Sequence, residues 1–322
     1  MTVASRAAVT RLKLTGFRNY ASLDLSLDTR PVCLFGANGA GKTNLVEAVS
    51  FLGPGRGLRA AGSEAVRQRH EGASALIWAV HAEAETAEGP VTLATGSDPD
   101  NPSRRRTRLA GAAATQTQLA RLFPMIWLTP REDRIWAGPR ADRMRFFDRL
   151  VLAGEPDHGQ NASIYEKAMR ERQRLLDRMD EGASIDPAWL DALEVRMAAS
   201  GTAMARARRA ALGALQSEID ARPPSAFPKA DLALQGLLEG FLGESEAEAE
   251  ARFAERLKST RRKDAVAGRA LSGPHRTELA ARHREKDQIA ADCSTGEQKA
   301  LLLGLALAQG AALARERGTA PV

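Results

Sequence analysis

Cysteine is almost missing from this chain: Cys33 and Cys293 are the only two among 322 residues. That excludes a disulfide framework and fits a reducing compartment. Aromatic residues make up only 5% of the sequence, so the core must be built from aliphatic and alanine side chains. No run approaches the roughly 18–20 apolar residues that cross a bilayer. The opening "MTVASRAAVTRLKL" shows no export signal. The expectation is a cytoplasmic protein with no membrane partner. No histidine and cysteine cluster at metal-ligand spacing, and no serine–histidine–aspartate set has an activating context. What is present is a formal charge of +6 and a pI near 9.7. This surplus points towards a polyanionic partner, although alanine- and arginine-rich chains are basic without one. The length allows one large domain or two ordinary ones.

Residues 9–14 and 23–27 alternate in polarity, which predicts two half-buried strands joined through "TGFRNY". "VCLF" (32–35) is a short continuous apolar run and reads as a strand buried on both faces. Further strands are expected at 75–82, 91–95 and 125–128. "SDPDNPSRRR" (97–106) reads as an exposed loop. From about residue 140 the period becomes helical: Met144, Phe147 and Val151 mark one helix, and Ile164, Ala168, Leu175 and Met179 a longer one. Asp186 and Pro187 form an N-cap with proline at the first helical position. Leu190, Leu193, Met197, Met204, Ala211 and Leu215 then recur at spacings of threes and fours, as in an antiparallel hairpin with a coiled-coil-like seam. "ARPPSAFPK" (221–229) ends it. A charged helix is expected at 244–264 and a long apolar helix at about 295–315. The order predicts an α/β domain into which a helical arm is inserted.

"GANGAGKT" (36–43) is G-x-x-x-x-G-K-[ST], placed after an apolar run and at the mouth of a helix. Gly36, Gly39 and Gly41 let backbone amides approach phosphate, with Ala37, Asn38 and Ala40 completing the loop. The helix N-terminus adds its partial positive charge. Lys42 is expected on the β- and γ-phosphates of ATP, and Thr43 on Mg²⁺. The bland alternative is a glycine-rich turn that binds nothing.

"STGEQKALLLG" (294–304) has two readings. Ser294 and Glu297 fit a capping box. Ser294, Gly296 and Gln298, at a helix start, also fit an anion site, and the two readings are compatible. Arg104, Arg105, Arg106 and Arg108 form the densest basic run; they are candidate DNA contacts set against a solvated loop. For Arg140, Arg143, Arg145 and Arg149, ion pairing with Glu132, Asp142 or Asp148 competes with a DNA role.

"LTGFRNY", "GANGAGKTNLVEAV", "TPREDRIWAGPRADRMRFFDRLV", "SGPHRTEL" and "STGEQKALLLGLALA", in this order, resemble the RecF family, relatives of the SMC-type and cassette ATPases. The most family-specific stretch is 130–148, where Pro130, Asp133, Gly138, Pro139, Arg143, Phe146 and Asp148 match. Met144 stands where a second arginine is usual. The resemblance implies an ABC/SMC-type P-loop ATPase head of the α/β class with an inserted α-helical arm. Its parts would be an N-terminal lobe (1–128), the arm (129–262) and a C-terminal lobe (263–322). It further implies an ATP-dependent homodimer that binds double-stranded DNA and gapped junctions and acts with RecR and RecO to load RecA. In that dimer Ser294, Gly296 and Gln298 of one protomer would reach the nucleotide of the other. His275 and Arg276 would lie near the nucleotide or the dimer face. The family's acidic segment, "LLLDE…LD", is expected after the signature helix, where this sequence stops at Pro321 and Val322. The sequence therefore reads as a C-terminally incomplete member in which ATP binding is favoured over turnover. A second reading is a nucleotide-gated dimerisation module acting mainly on a protein partner such as a RecR-like clamp. A small-molecule kinase or GTPase lacks a base-specificity motif.

Overall fold

The computed structural model describes residues 5–322 except 71, 72, 76, 226 and 244. The expected features at 75–82, 221–229 and 244–264 each include one position outside the described residues, and the first four residues lie outside them too. The chain divides into two compact units, Met1–Thr129 with Gly310–Val322, and Pro130–Gln309. The sequence grouped 263–322 as one lobe; by internal packing, residues up to Gln309 belong with the helical unit.

The first unit is built on an antiparallel sheet. Its strands are β1 (Ala8–Phe17), β2 (Tyr20–Ser26), β3 (Ala79–Thr86), β4 (Gly89–Ser97), β5 (Arg105–Leu109) and β6 (Ala112–Ala114), in the order β2-β1-β3-β4-β5-β6. The alternation seen in the sequence sets the register: Leu12 faces Leu25 and Ala82, Leu14 faces Leu23 and Val80, and Ala82 faces Leu93. Cross-strand rows of this kind bury one face of the sheet. Against that face packs α1 (Lys42–Ser50), whose C-cap Phe51 meets Phe17 and Trp78 edge to face, at ring separations of 5.7 and 5.3 Å. Strands Ser5–Arg6 and Thr319–Ala320 pair in parallel. Beyond them, the Val322 N–H donates to the Pro124 carbonyl (3.1 Å) and the Ile126 N–H to the Val322 carbonyl (3.0 Å). The expected strand at 125–128 is thus an extended segment bonded at its start.

Two expectations fail here. The run 32–35 forms no strand and is open to solvent: Val32 is 55% exposed and Phe35 93%. An apolar run specifies burial on both faces only where ladder partners flank it, and none does among the described residues. Val32 and Leu34 instead line an apolar groove of about 420 Å³ with Val9, Leu25, Leu27 and Val49. The loop expected at 97–106 is shorter, because Arg105 and Arg106 lie on β5, where Thr107 turns inward and pairs with Thr95.

The second unit is helical with a small sheet. Helix α2 (Gln116–Leu122) belongs to the first unit; α3 (Arg140–Gly154), α4 (His158–Asp180) and α5 (Pro187–Ala221) follow in the second. Helices α4 and α5 run antiparallel, since Tyr165 touches Gly201 while Arg172 bonds Glu194. Leu175, Leu190, Leu193, Met197 and Met204 form their buried seam, as the spacing predicts, and Asp186 caps α5 by accepting from the Ala188 N–H at 2.9 Å. Strand β7 (Ala230–Gln235) precedes α6 (Glu246–Ser259) and α7 (Arg261–Val266). Strands β8 (Glu278–His283) and β9 (Gln288–Ile289) complete a sheet of order β7-β8-β9. The long helix α8 (Thr295–Arg317) closes the unit up to Gln309.

Inside this unit the fully buried Arg172 donates to Glu194 (2.8 Å), Asp264 (2.7 Å) and the Leu257 carbonyl (2.7 Å). Buried charges persist only when paired and hydrogen-bonded in this way.

Candidate nucleotide loop and signature helix

The loop 36–41 turns on three glycines with positive φ: 142° at Gly36, 85° at Gly39 and 94° at Gly41. A Cβ on Gly36 or Gly39 would meet nothing within 4 Å, so the space beside these two glycines is open. Gly41 is different. A Cβ there would lie 2.6 Å from Asn19 Nδ2 and 2.7 Å from Tyr20 Oη, so the β1–β2 turn presses directly on the start of α1. Ala37, Asn38 and Ala40 are exposed, as is Thr43 at the first turn of α1. Lys42 folds over the loop and donates from Nζ to the carbonyls of Gly36 and Ala37, 2.7 Å each.

The brace beneath the loop was not read from the sequence. Glu47, one turn into α1 and fully buried, accepts from Arg18 at 2.7 and 2.9 Å and from Arg59 at 3.0 Å. Arg59 also donates to Asn44 Oδ1 (2.9 Å), and Asn44 Nδ2 donates to Asn19 Oδ1 (2.8 Å). "FRNY" and the residues after α1 therefore hold the helix from both sides. The available signal was a carboxylate in the buried half of a short helix, which demands partners.

The four arginines of the basic run separate into different roles. Arg105 is half-buried and donates to the Gly53 carbonyl (3.0 Å) and the Gly55 carbonyl (2.8 Å), with its guanidinium over the Phe51 ring. Desolvation pulls it down to about 10, still charged at neutral pH. Arg106 pairs with Asp98 (2.7 Å) and Asp100 (3.1 Å). Arg104 and Arg108 are exposed, Arg108 bonding the Gly111 carbonyl at 3.2 Å.

In the second unit the capping box at α8 is complete. Glu297 accepts from the Ser294 N–H (2.9 Å) and Ser294 Oγ (2.8 Å), while the Glu297 N–H donates back to Ser294 Oγ (3.4 Å). Lys286 Nζ donates to the same carboxylate. The Lys286 ammonium, and after it the Ser294 bonds, hold the Glu297 carboxyl down to about 2. Ser294 and Gly296 face solvent. Gln298 is turned inward: its side-chain amide donates to the carbonyls of Ala291 (3.1 Å) and Cys293 (2.9 Å), and its backbone carbonyl accepts from Trp136 Nε1 (3.1 Å). In this conformation Gln298 shapes the loop before α8 rather than presenting its side chain.

The arginines of α3 are engaged in the fold. Arg143 clasps Glu278 at 2.7 and 3.0 Å, Arg149 reaches Glu132 at 2.9 Å, Arg145 pairs with Asp142, and Arg140 donates to the Arg276 carbonyl at 2.7 Å. His275 donates from Nε2 to the Ala270 carbonyl (3.0 Å), leaving Nδ1 to accept from Tyr165 Oη (2.8 Å). Burial lowers the His275 imidazole and raises the Tyr165 phenol, which makes this a neutral pair. Among the described residues no group of three or more His, Cys, Asp or Glu side chains could hold a metal.

A glycine-turned phosphate loop leading into α1 beside an antiparallel sheet, with a helical unit ending in a capped signature helix, defines an ABC/SMC-type ATPase head. The family model described as RecF/RecN/SMC N terminal domain matches residues 8–320. A protein of Caulobacter sp. (strain K31), named DNA replication and repair protein RecF, is 49% identical across 97% of this chain and 82% of its own length. One of the same name from Rhizobium meliloti (strain 1021) is 48% identical across 98% and 83%. The chain belongs to the RecF family. Among solved structures, one described as the recombination mediator protein RecF-ATPrS in the RecFOR pathway superimposes with a TM-score of 0.85 at 17% identity. It covers all of this chain and 85% of that one.

Proposed function

We propose that this chain binds ATP with Mg²⁺ through Gly36–Thr43 and serves as an ATP-dependent DNA-binding protein of recombinational repair and replication-gap processing. Its DNA partner is duplex with gapped or single-strand junctions, and its protein partners are RecR- and RecO-like proteins that help load RecA. The observation that carries the reading is the phosphate loop itself, three positive-φ glycines opening onto α1 and braced from below by Arg18, Asn19 and Arg59. Exposed amides and the helix dipole there favour an anion. The open space beside Gly36 and Gly39 leaves room for a polyphosphate, Lys42 lies over the loop, and the exposed Thr43 hydroxyl suits Mg²⁺. The bound nucleotide supplies the γ-phosphate that Ser294 and Gly296 of a second copy would approach. The names of the RecF relatives, and solved structures described as RecF-ATP and RecF-ATPrS, support this reading.

Lys42→Met is expected to abolish nucleotide binding, read by titration calorimetry, and ATP-induced dimerisation, read by sedimentation. Ser294→Arg is expected to keep monomeric ATP binding and lose the dimer. Duplex binding measured at two salt concentrations tests the DNA role; no ATP-dependent binding at low salt would defeat it. A second reading, a nucleotide-gated module acting mainly on a protein clamp, draws support from Trp189 and Val195, which stand 55% and 62% exposed on α5. Under that reading, ATP-dependent binding to a RecR-like protein persists where DNA binding is absent.

A further inference from the structure

The first turn of α8 carries a contradiction for any helix start that meets phosphate. Glu297 sits there as the acidic half of the capping box, and its carboxylate is bonded to both the amide and the hydroxyl of Ser294. Held down to about 2, it stays charged at every working pH, so it cannot shed its charge by taking a proton. An anion approaching Ser294 and Gly296 would be drawn by the exposed amides and repelled by this neighbour.

The cation that answers it comes from a separate element. Lys286 ends the 3-10 turn Arg284–Lys286 between β8 and β9, and its ammonium donates to Glu297. The tip of that hairpin is fixed on several sides. Asp287, the next residue, takes a left-handed conformation (φ 47°), and its carboxylate accepts from Arg282 at 3.0 and 2.7 Å. Arg284 is bonded to Asp231 at 2.8 Å and Asp220 at 2.5 Å. Lys286 is thus delivered to Glu297 by an anchored turn, while remaining half exposed itself.

We propose that Lys286 is the charge-compensating, positioning residue of the signature helix, neutralising Glu297 so that Ser294 and Gly296 can accept the phosphate of a nucleotide held by a second copy of the chain. This rests on the ATP-clasp reading above. A capping glutamate is kept for the helix, and its charge is cancelled by a lysine that itself need not touch the nucleotide. Lys286 also keeps the carboxylate turned back onto Ser294.

The test compares wild type, Lys286→Met, Glu297→Gln and the double variant by sedimentation with ATP, alongside far-UV circular dichroism and thermal melting. Lys286→Met is expected to weaken ATP-induced dimerisation at least about tenfold, as a like charge facing a ligand does. Nucleotide affinity of the monomer should stay unchanged. Adding Glu297→Gln should restore the dimer, because glutamine can still cap but carries no charge. The Lys286→Met defect should also shrink at high salt, where exposed charges are screened. Lys286→Arg should behave as wild type. If wild type itself fails to dimerise with ATP, the clasp reading falls and this inference with it. If wild type dimerises and Lys286→Met does so equally well, or if Glu297→Gln does not rescue it, only the role of Lys286 is overturned.

Discussion

At the scale of the residue, Glu47 is where the charge balance of the phosphate loop is decided. Its carboxylate has no solvent contact, and Arg18 and Arg59 hold it from two sides of α1. Replacing it with alanine leaves two guanidinium groups facing an apolar helix. Both arginines keep some access to water, so the cost should fall at or below the lower end of that for breaking a buried pair, about 2–3 kcal/mol. Glu47→Ala is expected to show that loss in urea denaturation, together with weaker ATP binding, because Arg59 would loosen its hold on Asn44, which in turn bonds Asn19. The glycines, Lys42 and Thr43 stand out as candidates at the sequence level because their motif is contiguous. The brace could not: its members lie at 18–19, 44–47 and 59, and only the fold brings them together.

At the scale of the element, three helices of the second unit meet at Asp148. It stands on α3, accepts from His158 of α4 at 3.0 Å, and accepts from Arg208 of α5 at 2.7 and 2.8 Å. Burial alone would push this carboxyl up, but the bonds from His158 and Arg208 outweigh it and hold the group below its ordinary value. A carboxyl lowered on folding contributes stability that is fully present above its unfolded value, about 3.9, and is lost as pH falls through the folded one. The difference in melting temperature between wild type and Asp148→Asn should therefore be widest near neutral pH and narrow below about pH 4. The helices themselves were legible because their apolar spacing repeats over many turns, and the Asp186–Pro187 start is encoded within two residues. The run 32–35 misled for the opposite reason. Hydrophobicity says what a segment would bury, and burial needs neighbours that its own four residues do not specify.

At the scale of the whole molecule, the net charge of +6 does not say which of the cationic side chains are open to a polyanion. Arg105 holds the turn after α1, Arg106 answers two aspartates, and the α3 arginines are tied to carboxylates or carbonyls of their own unit. Within the basic run, Arg104 and Arg108 are the side chains left facing solvent without a carboxylate. If they contact phosphates, the Arg104→Ala, Arg108→Ala double variant should reduce the slope of log K against log salt for duplex binding by about 1.8, at about 0.9 per contact. Arg106→Ala should leave the slope nearly unchanged, and Arg105→Ala should lower thermal stability instead. Composition could suggest a polyanion, but it could not separate arginines already neutralised by the fold from those that are not.

The two bonds from Lys42 to the carbonyls of Gly36 and Ala37 bear on how tightness of binding should be understood. Under the proposed nucleotide role, a phosphate arriving at the loop would take the lysine from partners it already has, and its affinity would be the difference between two sets of contacts. Selectivity follows from that exchange. A ligand with a single phosphate disrupts the same two carbonyl bonds as a triphosphate but returns fewer contacts. On that reading the loop would discriminate by the number of phosphates before any base is read.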